Sequence, residues 1–145
     1  MIIREASEAD ASYVCKISCE DLGYSCNSEL VKSRLSNLDK NREAVFVAQI
    51  QNNVVGYIHV EKYNTLYFES MVNILGLAVS ADYRRKGIGK ALLNHTEDWA
   101  RKSGINYVRL NSGITRKQAH NFYRAMGYDN EKGQIRFMKH IGDIF

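Results

Sequence analysis

Long apolar runs are missing from this chain. No stretch approaches the roughly 18 apolar residues of a membrane span, so no membrane partner is expected. The opening MIIREASEAD has no apolar core segment behind a basic start, so no secretory signal is expected and the cytoplasm is the expected location. Cysteine is scarce. Cys15, Cys19 and Cys26 are an odd number with no CxxC pair, which argues against a disulfide framework and against a metal site, and leaves three free thiols in a reducing compartment. A large charge excess is also missing. A net charge of +4 over 145 residues permits an anionic ligand without demanding nucleic acid. Proline is absent altogether, and that absence has no physical account. There is no linker, repeat or low-complexity segment, so residues 1–145 are expected to form one domain. With 45% hydrophobic and 25% charged residues, the composition is that of a globular protein with a sizeable core.

What is present alternates strand and helix signals. MIIREA reads as an opening strand, and Ser7 with Asp10 fits a capping box before a helix carrying Tyr13, Val14 and Ile17. DLGYSCNSEL breaks that helix, and Asn27 or Ser28 caps a second through Leu30, Val31, Arg34, Leu35 and Leu38. AVFVAQI and VVGYIHVEKY are rich in β-branched and aromatic residues and flank a turn, QNN. SMVNILGLAVS is a nearly continuous apolar run, as expected of a buried central strand. A long amphipathic helix follows, with Ile88, Ala91, Leu92, His95, Trp99 and Ala100 at helical spacing, and Ser103-Gly104 stops it. INYVRLNS is the next strand, TRKQAHNFYRAM a short helix ended by Gly127, and QIRFMKHI a closing strand. The order β-α-α-β-β-β-α-β-α-β, with room for one further strand, mixes a meander with strand–helix–strand crossovers. It predicts an α/β (α+β) fold on a mixed sheet.

The segment YRRKGIGKALL, Tyr83 to Leu93, gathers Arg84, Arg85, Lys86 and Lys90 around Gly87 and Gly89 where the long helix begins. Glycine costs a helix about 1 kcal/mol relative to alanine, so two of them at a helix start need a reason. The first backbone N–H groups of a helix lack internal partners, and the helix dipole adds partial positive charge there. A strand running into such a turn makes an anion site suited to phosphate. Glycine lets an oxygen approach the backbone, and the cations add screening and direct contacts. Two common phosphate motifs fail at identifiable residues. Lys90 is followed by Ala91 rather than Ser or Thr, and Leu92 stands where a dinucleotide fingerprint needs its third glycine. The alternative is a solvated basic helix start with incidental glycines.

The residues around the glycines favour a ligand. LAVSADYRRKGIGKALL resembles the acetyl-CoA motif of the GNAT superfamily of N-acetyltransferases, [QR]-x-x-G-x-[GA] after a strand, filled here by Arg84, Gly87 and Gly89. AHNFYRAMGY resembles the family's second signature at the family's spacing. The order of elements is similar to the family's over nearly the whole chain, which implies a mostly antiparallel sheet flanked by about four helices.

The resemblance implies an acetyl-CoA-dependent transfer to a primary amine. The pyrophosphate of CoA would sit on Arg84, Arg85, Lys86, Gly87, Ile88, Gly89 and Lys90, and the pantetheine arm would pair with the backbone of Leu77 and Val79. Gly76 is the place for a bulge that splays the strand and opens the acetyl slot, with a backbone N–H near Leu77 as a one-donor oxyanion hole. Tyr123 matches the family's general acid, since a phenol stays protonated at neutral pH and can donate to a departing thiolate. Asn121 would bind CoA, Arg116 stands where many members have Asn, and His120 reads as a packing or capping residue. Family members often carry a glutamate about where this chain has Asn73, which cannot accept a proton. Glu69 is the nearest carboxylate, Glu61 on the preceding strand is another, and a water relay is a third route.

Two other readings remain open at this point. A non-catalytic acyl-CoA-binding module would fit the missing glutamate at Asn73. A nucleic-acid binder would spread basic residues over one face, whereas here they concentrate at one loop. The acceptor pocket would be shaped by EDLGYSCNSEL. Glu20, Asp21, Glu61 and Glu69 lead to the expectation of a cationic amine, kept apart from CoA by charge sign. Nothing in the sequence argues against a homodimer.

Overall fold

The β-branched and aromatic runs form five strands: β1 (Ile2–Glu5), β2 (Glu43–Ile50), β3 (Asn53–Tyr63), β4 (Met71–Val79) and β5 (Val108–Leu110). The amphipathic segments form α1 (Ala11–Leu22), α2 (Ser28–Ser36), α3 (Ile88–Lys102) and α4 (Lys117–Ala125). The structure, a computed structural model, describes residues 1–143, so the last two residues of the expected 1–145 domain lie outside the described residues. The chain divides into two units, residues 1–111 and a second beginning at Ser112.

In the first unit the sheet order is β1-β2-β3-β4-β5. Every neighbouring pair is antiparallel except β4–β5, which is parallel. A parallel pair needs a crossover, and α3 supplies it. The mixed, mostly antiparallel sheet and the four helices are those the sequence predicts. β2 and β3 are joined by the expected tight turn, with Gln51 at φ 54°.

Local chemistry sets the helix ends. The Ser7 N–H donates to Asp10 Oδ2 at 2.8 Å, completing the predicted capping box. Arg4 grips the same carboxylate with two nitrogens, each at 2.8 Å. The Arg4 guanidinium therefore holds the buried Asp10 carboxyl below its usual range. Gly23 ends α1 at φ 74°. Asn27 caps α2, its Oδ1 accepting from the N–H of Glu29 at 2.9 Å and of Leu30 at 3.3 Å.

Strand side chains alternate between the two faces of the sheet. On one face Val14 and Ile17 of α1 pack with Val47, Val54, Tyr57 and Ala78. On the other, α3 approaches Gly56 so closely that a Cβ there would lie 3.1 Å from Ile88 Cγ2 and 3.2 Å from the Ala78 carbonyl. Glycine at position 56 is thus what lets α3 settle on the sheet. Among the described residues no helix is long and apolar enough to cross a membrane.

Two expectations need correction. The apolar run of β4 is not buried throughout. Val72, Ile74 and Ala78 are buried, but Leu75 is 50% exposed. And QIRFMKHI does not form a closing strand: among the described residues no strand follows β5. Its alternation describes side chains suited to a pleated surface, but a strand also needs a neighbour to take its backbone hydrogen bonds. Residues 129–143 lie in no sheet, and Ile135, Phe137, Met138 and Ile141 are exposed. The observed order therefore ends β5-α4.

Candidate active site

β4 carries the feature on which the site depends. His59 of β3 pairs with Gly76, but the next residue, Val60, pairs with Ile74. Leu75 is therefore one residue too many on β4, a bulge beside Gly76 where the sequence places it. β5 pairs with β4 only at Val72, Asn73 and Ile74. Past Ile74, β4 keeps its β3 partner and has no β5 partner. Leu77 and Val79, opposite Ile58 and Gly56 on β3, lie in this half-paired stretch. A strand edge without a neighbour presents N–H and C=O groups that an extended ligand can use. Space does not demand glycine at position 76, because an added Cβ would meet Tyr57 Oη at an ordinary 3.6 Å.

β4 then runs through a short turn, the Tyr83 N–H donating to the Ser80 carbonyl at 2.9 Å, into the basic loop. Arg85 is left-handed at φ 63° and Gly87 at φ 78°. A side chain in that region costs roughly 1–2 kcal/mol and concentrates at functional sites. Gly87 caps α3, and buried Ile88 anchors its first turn. Arg84, Arg85, Lys86, Gly87 and Lys90 are exposed around that turn, with Gly89 half-buried inside it. The Arg84 guanidinium is ion-paired with Asp21 of α1, and Lys86 Nζ stands 5.2 Å from the Tyr83 ring centre.

Sequence reasoning missed a polar network on the same sheet face as Tyr57. Glu43 Oε1 accepts from the His59 Nε2–H at 2.9 Å. Glu61 takes Arg42 at 2.5 Å and the Asn73 amide at 2.9 Å. Arg109 donates to Asn73 Oδ1 at 2.6 Å and stacks 4.9 Å from the Tyr63 ring centre. The strand period in VVGYIHVEKY already places Tyr57, His59 and Glu61 on one face, so the alternation held the signal. The structure brings His59 opposite the bulge and Glu61 opposite Asn73. It does not bring Glu69 there. Glu69 is exposed, accepts from Asn106 at 3.2 Å, and lies before β4 begins at Met71. Asp21 and Glu61 also have arginine partners, which weakens the expectation that they draw in a cationic acceptor.

Tyr57 is buried under the bulge, its Oη 2.7 Å from Ser18 Oγ. The Ser18 hydroxyl already donates to the Val14 carbonyl at 2.8 Å, so Tyr57 is the donor of the pair. Burial pushes its phenol up. Nearby, the sulfurs of Cys15, Cys19 and Cys26 all lie within 4.8 Å of one another. The hydrogen bond that Cys15 shares with Cys26, and then burial, push its thiol up. Reading the three as unrelated thiols overlooked that positions four apart share a helix face.

In the second unit, α4 carries the second signature. The His120 Nε2–H donates to the Gly113 carbonyl at 2.9 Å, tying α4 to the loop before it. Asn121 Oδ1 accepts from Arg124 at 3.2 Å, and Arg124 holds both Glu131 oxygens at 2.8 Å. The Tyr123 ring lies 5.2 Å from that of Phe122 and 6.1 Å from that of Tyr128.

Known proteins resemble this chain in sequence and in fold. An uncharacterised N-acetyltransferase of Chlorobaculum tepidum, CT2212, is 30% identical over 129 residues, covering 87% of this chain and 74% of its own. YhdJ of Bacillus subtilis, also an uncharacterised N-acetyltransferase, is 49% identical over 64 residues, 43% of this chain and 45% of its own, so the chain spans under half of that relative's length. Among solved structures, a soil-metagenome aminoglycoside acetyltransferase, meta-AAC0020, shares the fold with a TM-score of 0.78 at 24% identity, over 97% of this chain and 96% of its own. The profile of the acetyltransferase (GNAT) family matches residues 11–128. A match that runs through the bulged strand, the basic loop and the Tyr123 helix places this chain in the GNAT family of acetyltransferases.

Proposed function

We propose that this protein transfers the acetyl group of acetyl-CoA directly to a primary amine of a small molecule or peptide, as a single domain working in the cytoplasm. The observation that carries the reading is the bulge at Leu75, after which β4 loses its β5 partner and leads straight into the left-handed Arg85–Gly87 loop. That sequence of features offers an extended arm a free strand edge and then offers a pyrophosphate a helix start. Leu77 and Val79 pair with the arm. The backbone of residues 84–90, with the Arg85 and Lys90 side chains, takes the pyrophosphate. Arg84 acts through its backbone, since Asp21 holds its side chain.

The amine nitrogen attacks the thioester carbonyl, a C–N bond forms, and the C–S bond breaks. A backbone N–H near Leu77 steadies the oxyanion. The ammonium proton is lost to His59, directly or through water. His59 faces the bulge in register and is oriented by Glu43, the arrangement a general base requires. Glu61 ranks behind it because Arg42 and Asn73 already hold its oxygens, and Glu69 ranks last because it precedes β4 and has no β3 partner in register. Tyr123 gives its phenolic proton to the departing thiolate, and Asn121 contacts CoA; motif position supports both roles. The relatives that carry the match are named N-acetyltransferases, which disfavours a module that only binds acyl-CoA.

The test is CoA formation from acetyl-CoA over a panel of amines, with polyamines, aminoglycosides and lysine or N-terminal peptides first and neutral amines alongside. Turnover dependent on one class of amine is the expected result. Tight acetyl-CoA binding with no turnover on any amine would support the binding module instead.

A further inference from the structure

We propose that Cys15, Cys19 and Cys26 form a three-sulfur site for a thiophilic divalent cation of the zinc class. Cys15 and Cys19 are one turn apart on α1 and project from the same side of the helix. Cys26 comes back to them because the chain reverses just after α1. Gly23 turns left-handed at φ 74°, and the Tyr24 N–H closes on the Ser18 carbonyl at 3.3 Å. Asn27 then fixes the exit by capping α2. The turn that holds Cys26 is thus pinned at both ends.

The three sulfurs lie within 4.8 Å of one another. Sulfurs bound to one zinc at about 2.3 Å in tetrahedral geometry stand about 3.8 Å apart, so the site needs only a small contraction. A disulfide fits the arrangement less well, because it joins two of the three and leaves the third beside it. A shared centre uses all three equally. Cys19 is exposed and Cys15 and Cys26 are half-buried, so an ion can reach the site from solvent and keep a water as its fourth ligand. Binding replaces three S–H protons, which pass to the buffer, and leaves a complex of one dication and three thiolates. The ion would tie the 23–27 turn to α1.

The test uses the reduced full-length protein titrated with Co²⁺. The expected result is thiolate-to-cobalt charge-transfer absorption saturating at one equivalent, bleached by one equivalent of Zn²⁺, which binds such sites more tightly. Zn²⁺ should also protect three thiols per chain from alkylation and raise Tm. Cys26→Ser should lose the band at equimolar metal while keeping its circular dichroism. If that variant misfolds, Cys19→Ser, altered at an exposed position, must lose it too. Absence of the charge-transfer band, a band unchanged in these variants, or a disulfide between two of the cysteines forming in preference to metal binding would each overturn the proposal.

Discussion

Asp10 links the stability of the first unit to pH. Its carboxyl is held below its usual range by Arg4 and by the Ser7 N–H. A depressed folded value contributes stability above the unfolded pKa, near 3.9, and loses it as pH falls through the folded value. Asp10→Asn should therefore cost about 1–2 kcal/mol at pH 7, with Arg4 partly solvated, and progressively less below about pH 4. Urea midpoints at pH 7 and pH 3 check this; an equal loss at both would remove the ion pair from the account. Tyr123 belongs to the same scale. Tyr123→Phe should lower kcat by roughly 10²–10⁴-fold with little change in the acetyl-CoA KM, because an acid that acts only in the transition state is lost. Steady-state kinetics with chemistry rate-limiting decide it, and a kcat within about twofold of wild type would dismiss the phenol. His59→Gln should lower kcat more than Glu69→Gln does, and the gap should close as the pH is raised toward the amine's own pKa.

At the scale of elements, the caps, the hairpin, the crossover helix and the bulge were legible because each is a local matter of turn chemistry or period. Ser7 and Asp10 announce α1, QNN announces the β2–β3 turn, and glycine inside an apolar run announces the irregularity in β4. The closing strand was not legible. Ile135, Phe137 and Met138 alternate as a strand would, yet alternation carries no information about a partner. Gly56 was passed over for the opposite reason. Its importance lies in a contact between β3 and α3, more than 30 residues apart, which no local pattern encodes. Gly56→Ala forces Ile88 and Leu92 to move, and overpacking of this kind typically costs 1–3 kcal/mol. Chemical denaturation measures it, and an unchanged midpoint would show that α3 can shift without loss.

For the whole molecule, the family's motifs were legible because they are contiguous in sequence, at residues 84–90 and 119–128. Pairings across strands were not. His59, Glu43 and Arg109 take their meaning from register, whereas Glu69, Glu61 and a water relay were weighed from nearness in sequence; the sheet sets His59 opposite Gly76 and Glu61 opposite Asn73. Charge reads the same way. The four cations of the loop were expected to add screening and direct contacts alike, yet Arg84 is tied to Asp21, so reversing it would disturb α1 as well as a ligand. The most direct measurement is therefore a calorimetric titration of acetyl-CoA into wild type and into Arg85→Glu/Lys90→Glu, which leaves that ion pair intact. A one-to-one complex in wild type, weakened at least about tenfold in the double variant with its Tm unchanged, is the predicted result. Equal affinity in the two proteins would contradict the assignment of the 84–90 loop to CoA.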